Sequence, residues 1–203
     1  WNTPPRELAR KGGAITGMRA AGMVLLVAMA VLYRGRGEAG FLALPAPNWG
    51  ILGQIGWAYL VACIVYMLLP TQRVGKIGMV ALLYCLYLGS AIGAFSKLTW
   101  LSSWVDIGPM LFSQAAITVS GVVLGETLAS DSSGKTPAKR MQWALLYGLG
   151  LAVMGELLYA AHHVHRAFII NKDAATPPWC LWSSAITTWI WVAIYWLIVV
   201  PQW

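Results

Sequence analysis

The stretch CLWSSAITTWIWVAIYWLIV, residues 180–199, decides the fold, because it runs for twenty residues without a charge. A helix of that length spans about 30 Å, the hydrocarbon thickness of a bilayer. No water reaches that depth, so the backbone must satisfy its own hydrogen bonds, and a helix does so within one segment. Thr176, Pro177, Pro178 and Trp179 mark where the chain turns into this helix, and Asn171 and Lys172 lie before them in a polar loop.

Working outward, five more apolar stretches of similar length occur at about 14–33, 50–69, 77–96, 108–128 and 141–161. Of the 203 residues, 59% are hydrophobic and 10% charged, whereas a soluble domain carries about 25% charged residues. The spans take up more than half the chain and leave no soluble core. The expected fold is an all-α integral membrane protein over 1–203, a bundle of about six transmembrane helices. The net charge of +7 does not indicate nucleic acid, since the basic residues fall in short loops between apolar segments. With the N-terminus inside, eight basic residues (Arg6, Arg10, Lys11, Arg73, Lys76, Lys135, Lys139, Arg140) lie on the inner side. Five (Arg34, Arg36, Lys97, Arg166, Lys172) lie outside. That excess predicts N-in and C-in. The bilayer and other membrane subunits are the expected partners.

Small residues recur in the spans. Gly13 and Gly17, Gly89 and Gly93, Gly121 and Gly125, and Gly148, Gly150 and Gly155 predict close helix contacts. Most of the twelve tryptophans fall near span ends, as in an interfacial aromatic belt. Cys63, Cys85 and Cys180 lie in or beside spans, without disulfide or zinc spacing, and read as small packing residues. The outer loop 34–49 holds Pro45-Ala46-Pro47-Asn48, and the inner loop 129–136 is polar. The chain opens on Trp1 without Met, so it is expected to be processed or part of a longer protein.

Charged groups within a bilayer are costly and point to function. Glu156, near the outer end of the fifth span, reads either as a carboxyl reaching the interface or a cation, or as a proton acceptor lining a cavity. Arg19, in the first span, can snorkel inward, and Glu126 lies near the inner end of the fourth span, where it is a candidate partner for Arg19. Asp106 precedes the fourth span as an N-terminal charge. Gln54 and Gln114 can hydrogen-bond across the bundle or to a ligand. His162, His163 and His165 cluster at the outer end of the fifth span. If that helix continues, His162 and His165 share a face, a spacing able to hold a metal, a haem or a chlorophyll-type pigment. A solvated interfacial cluster is the alternative. Glu156 and His163 would then also share a face, as a proton relay requires.

Three blocks carry a family resemblance. Gly50-Ile51-Leu52-Gly53-Gln54-Ile55-Gly56-Trp57-Ala58-Tyr59-Leu60 resembles the GVLQRIGxAYL helix of bacterial transmembrane acyltransferases related to heparan-α-glucosaminide N-acetyltransferase. Residues 113–125, SQAAITVSGVVLG, resemble a later helix. Asn171-Lys172 with Ala175-Thr176-Pro177-Pro178-Trp179, followed by Tyr195-Trp196-Leu197, is similar to the C-terminal end of the branch called DUF5009. The match covers the family's C-terminal part. The family's proposed catalytic His lies in a more N-terminal loop, so its role is not carried to His162, His163 or His165. Ile55 stands where relatives often have Arg.

The resemblance implies acetyl-CoA as a donor from the cytoplasmic side and an amino sugar or glycan as acceptor. No catalytic residue is assignable in these 203 residues. Two expectations therefore stand side by side. One is a non-catalytic subunit of a photosynthetic or respiratory assembly in a bacterial cytoplasmic membrane. The other is the C-terminal portion of a membrane N-acetyltransferase. Asn171 and Lys172 join Arg19, Gln54, Gln114, Glu126 and Glu156 as candidate polar-cavity or ligand residues.

Overall fold

The computed structural model describes residues 5–32, 50–129 and 136–199. The outer loop 34–49, residues 130–135 of the inner loop, and the side chains of Arg6, Arg10 and Lys11 lie outside what is described. The described elements are helical, and the chain is an all-α membrane protein. In order they are α1 (Pro5–Leu32), α2 (Gly50–Leu68), α3 (Arg73–Ala91) and the single turn α4 (Thr99–Ser102). A π-helical segment, Ile107–Ser113, then runs into α5 (Gln114–Ala129), followed by α6 (Pro137–Ala160), a 3-10 turn (Arg166–Phe168) and α7 (Pro177–Val199). These fall into two compact units, with α1 in one and α2 to α7 in the other.

Six spans were expected. Among the described residues five helices are long and apolar enough to cross a membrane: α2, α3, the continuous Ile107–Leu128 segment, α6 and α7. The first helix extends back to Pro5 through Arg6, Arg10, Lys11 and Arg19, and its apolar part shortens to Thr16–Met29.

The third span also shifts toward the N-terminus, from the expected 77–96 to Arg73–Ala91. Pro70 stops α2 at Leu68, because proline disfavours helix in the residue before it and has no N–H to donate. The chain re-enters helix within four residues, and the Lys76 amide bonds the Gln72 carbonyl at 3.1 Å. At the other end Gly93 takes φ +86°. Its amide bonds Ser90 O at 2.9 Å, and the Ala94 amide bonds Gly89 O at 2.9 Å. This pair of bonds with a left-handed glycine is a Schellman stop, which ends α3 before the apolar run is over.

In the second unit α2, α5 and α7 run one way and α3 and α6 run back. One end therefore collects the starts of α3 and α6, with Arg73, Lys76, Lys139 and Arg140. The other carries the turns 92–106 and 161–176. The α5 span is the centre of the unit. More than half of it lies inside, against less than a third of any other span, and it packs on α2, α3, α6 and α7. Its contact residues are small: Ala115, Ala116 and Val119 pack with Leu83, Leu151, Cys180 and Ala185. Outward faces are apolar, with Ile51, Leu52, Val74, Leu149 and Leu197 exposed, as lipid requires.

The glycines divide. Gly148 and Gly155 are true helix contacts: a Cβ at Gly148 would lie 2.6 Å from Trp189 Nε1, and one at Gly155 would lie 3.1 Å from Trp182 Cδ1. Trp182, expected in a belt, and Trp189, in mid-span, thus pack α7 onto α6. Gly121, Gly125 and Gly150 do not make close contacts, because a Cβ there would meet nothing within 4 Å. Replacing Gly148 by Val should lower stability by about 1–3 kcal/mol through overpacking against Trp189. Gly150→Ala should leave it unchanged or slightly raised. Unfolding midpoints in mixed detergent micelles check this, and equal midpoints for the two variants would count against the α6–α7 contact.

Candidate functional site

The polar side chains inside the second unit radiate from α5. Near the basic end, Glu126 forms an ion pair with Lys76 of α3. Lys76 is wholly buried. Its Nζ also donates to Pro70 O at 3.0 Å and lies 4.8 Å from the centre of the Tyr66 ring. The ammonium is thereby met by a carboxylate, a carbonyl freed by the Pro70 turn, and an aromatic face. Arg140 of α6, also buried, reaches Leu128 O at the end of α5 at 3.4 Å.

Six residues toward the opposite end, Ser120 and Tyr147 of α6 share a hydrogen bond of 2.8 Å. A further six residues on, Gln114 Nε2 donates to Gln54 Oε1 of α2 at 3.0 Å. One helix thus gives a polar side chain to each of three neighbours. Gln54 and Gln114, read as bridging residues or ligands, bridge each other. Glu126, read as a candidate partner for Arg19, is held by Lys76. Arg19 lies half-buried on α1, in the other unit.

At the loop end the stretch 169–176 is pinned by Thr176, which is buried. Its hydroxyl accepts from the Asn171 amide at 3.0 Å and donates to Ile169 O at 2.7 Å. Asn171 Oδ1 accepts from the Ala174 amide at 3.1 Å. Ala175 adopts φ +44°, a left-handed value that costs an L residue energy. Tyr87 of α3 donates to Ala174 O at 2.9 Å, and the Cys180 thiol donates to Ala175 O at 3.3 Å. Pro177 and Pro178 are fully buried. This block therefore plugs the loop onto α3. Asn171 contributes through its turn, and Lys172 is exposed.

Glu156 accepts from Trp182 Nε1 at 3.2 Å and is exposed. The helical face expected for the histidines is absent, because α6 stops at Ala160 and residues 161–164 form turns. His162 is therefore not paired with His165 one helical turn on, and Glu156 and His163 do not share a helix face. His162 Nδ1 lies 2.9 Å from Tyr159 O and its ring stacks on Tyr159. His163 meets His162 edge-on at 5.6 Å. His165 accepts from the Ala167 amide at 3.1 Å, capping the 3-10 turn. Among the described residues no three His, Cys, Asp or Glu side chains are grouped to hold a metal ion.

A cavity of about 400 Å³ that sequence reasoning missed opens in the turns after α3, lined by Ser90, Phe95, Ser96, Ser102, Val105 and Asp106. The available signal was the four serines Ser90, Ser96, Ser102 and Ser103, two of which fall inside the expected span 77–96. Asp106 stands at the start of the π-helical segment without a side-chain capping bond. Burial pushes its carboxyl above the ordinary value.

Compared with known proteins, the sequence matches no family model, no curated protein and no solved structure.

Glu126→Leu alone should strand the Lys76 charge and cost about 3 kcal/mol, whereas Lys76→Met with Glu126→Leu should recover most of that loss. A double-mutant cycle in micelles checks this, and additive losses would remove the pair as a stabilising unit. Asp106 binds its proton more tightly folded than unfolded. Its ionisation therefore costs stability as pH rises through the ordinary carboxyl range to the raised value. Asp106→Asn should melt higher than the parent at neutral pH, with the gap closing below the ordinary carboxyl pKa. Melting curves that differ equally at both pH values would contradict this.

Proposed function

We propose that the chain is a non-catalytic, multi-span subunit related to the C-terminal half of the transmembrane acyltransferases. It acts as a helical scaffold within a larger assembly, such as a photosynthetic or respiratory complex of a bacterial cytoplasmic membrane. One observation carries this reading: three polar side chains that α5 carries at membrane depth are each bonded to a neighbouring helix. Glu126 is held by Lys76, Gln114 by Gln54 and Ser120 by Tyr147. A catalytic acid, base or nucleophile must instead face substrate. The large apolar outward faces suit contact with lipid and with helices of neighbouring subunits. His162 and His163, exposed at the loop end, are candidate contacts to a haem or chlorophyll-type pigment held by a neighbour.

The acyltransferase reading keeps one supporting observation, the cavity beside Asp106. It lies at the end opposite the basic residues, the side where that chemistry would bind an amino sugar while acetyl-CoA enters from the cytoplasm. Purification from native membranes separates the two readings. The scaffold reading expects co-migration with a pigment- or haem-containing complex and no acetyl transfer to glucosamine. A chain that turns over acetyl-CoA with glucosamine, and loses turnover in Asp106→Asn, would overturn it.

A further inference from the structure

A second concavity lies at membrane depth between α3 and α6. It has a volume of about 440 Å³ and is lined by Ile77, Ala81 and Leu88 of α3 and by Tyr147, Gly150 and Met154 of α6. The α3 lining runs from Ile77 to Leu88, about 16 Å along the helix axis. The slot is apolar along that length, as a hydrocarbon chain requires.

Its mouth is charged. Arg73 sits one turn before Ile77 on α3, and Trp143 sits one turn before Tyr147 on α6. The Arg73 guanidinium lies 5.3 Å from the Trp143 ring centre, spanning the two helices where the groove meets the basic end. Trp143 stacks on Tyr147 with ring centres 5.2 Å apart and planes 17° apart. An aromatic column thus leads from the guanidinium into the slot. Stacking fixes the ring-facing side of the guanidinium and leaves its N–H edge for an acceptor, and that fork geometry matches a phosphate. Lys139, one turn before Trp143 and exposed, adds a second positive charge at this end.

We propose that this is a binding site for one anionic phospholipid of the adjacent leaflet, with an acyl chain in the α3–α6 slot and its phosphate on Arg73. Charge selects the headgroup, and the apolar lining accepts its acyl chain. Gly150 keeps the slot open: a Cβ there meets nothing within 4 Å, so a larger side chain fills the groove without disturbing the fold.

The test uses the full chain in neutral detergent, titrated with phosphatidylglycerol or phosphatidylcholine of identical acyl chains and read by native mass spectrometry. The expected result is retention of one phosphatidylglycerol about fivefold better than phosphatidylcholine, the ratio that one basic contact near a membrane surface supplies. Arg73→Gln should level the two lipids while melting as the parent does. Gly150→Leu should lower retention of both. Equal retention by the parent, an undiminished preference in Arg73→Gln, or full retention in Gly150→Leu would each overturn the site. So would displacement of phosphatidylglycerol by a neutral isoprenoid quinone in parent and Arg73→Gln alike, which would make the slot a quinone-tail site.

Discussion

A lysine with no exposed surface constrains everything around it. Lys76 is buried against Glu126, the Pro70 carbonyl and the Tyr66 ring, and withdrawing Glu126 leaves a charge in low dielectric at a cost of about 3 kcal/mol or more. Three helices are therefore locked in relative height. Tyr66 and Pro70 belong to α2 and its exit, Lys76 to the first turn of α3, and Glu126 to the last turns of α5. Apolar side chains slide past one another at little cost in lipid, because tails are as apolar as leucine. A charge that must meet its counter-ion does not slide. The pair sets where α3 starts against α5, and the contact of Ala115, Ala116 and Val119 with α3, α6 and α7 follows from that height.

The remaining polar links are weaker and do a different job. An interhelical hydrogen bond in a membrane averages about 0.6 kcal/mol, so Gln54–Gln114 and Ser120–Tyr147 add little stability beside close packing at Ala115, Ala116, Gly148 and Gly155. Their value is rotational. Gln114, Ser120 and Glu126 point to α2, α6 and α3 respectively, and each bond forms at one rotation of α5 only. At the loop end the same task falls to backbone. Thr176, Asn171 and the left-handed Ala175 fold the connection into a plug, and Tyr87 and Cys180 fasten it to α3 and α7.

The helices were legible because lipid leaves the backbone one solution, and a run of uncharged residues reports it directly. What was illegible depends on neighbours in space. Lys76 was read as a loop charge since nothing local distinguishes a buried ammonium from a solvated one; the tight Pro70-Thr71-Gln72 turn was the available clue. The end of α3 depends on Gly93, whose left-handed φ is invisible in an apolar run that continues past it. The face that His162 and His165 would share on a continued helix does not form, because α6 stops at Ala160. Gly121, Gly125 and Gly150 look identical in sequence to Gly148 and Gly155, and only the facing Trp189 and Trp182 separate a contact from an open groove. The serines around Asp106 were missed because a cavity made by turns has no periodicity.

The three stretches that carry the family resemblance are neighbours in the fold. The first supplies Gln54, the second is α5 with Gln114 and Ser120, and the third supplies the plug and the start of α7. The first and second meet through the two glutamines. The second and third meet where Ala115 and Ala116 pack with Cys180, Leu181 and Ala185. Residues that share one packing core constrain one another whatever the protein does. Chemistry would have to be read from side chains that the frame leaves unspent, and at membrane depth α5 has spent its own. What remains open lies at the two ends: a carboxyl with serines on one side, and a stacked arginine above an apolar slot on the other.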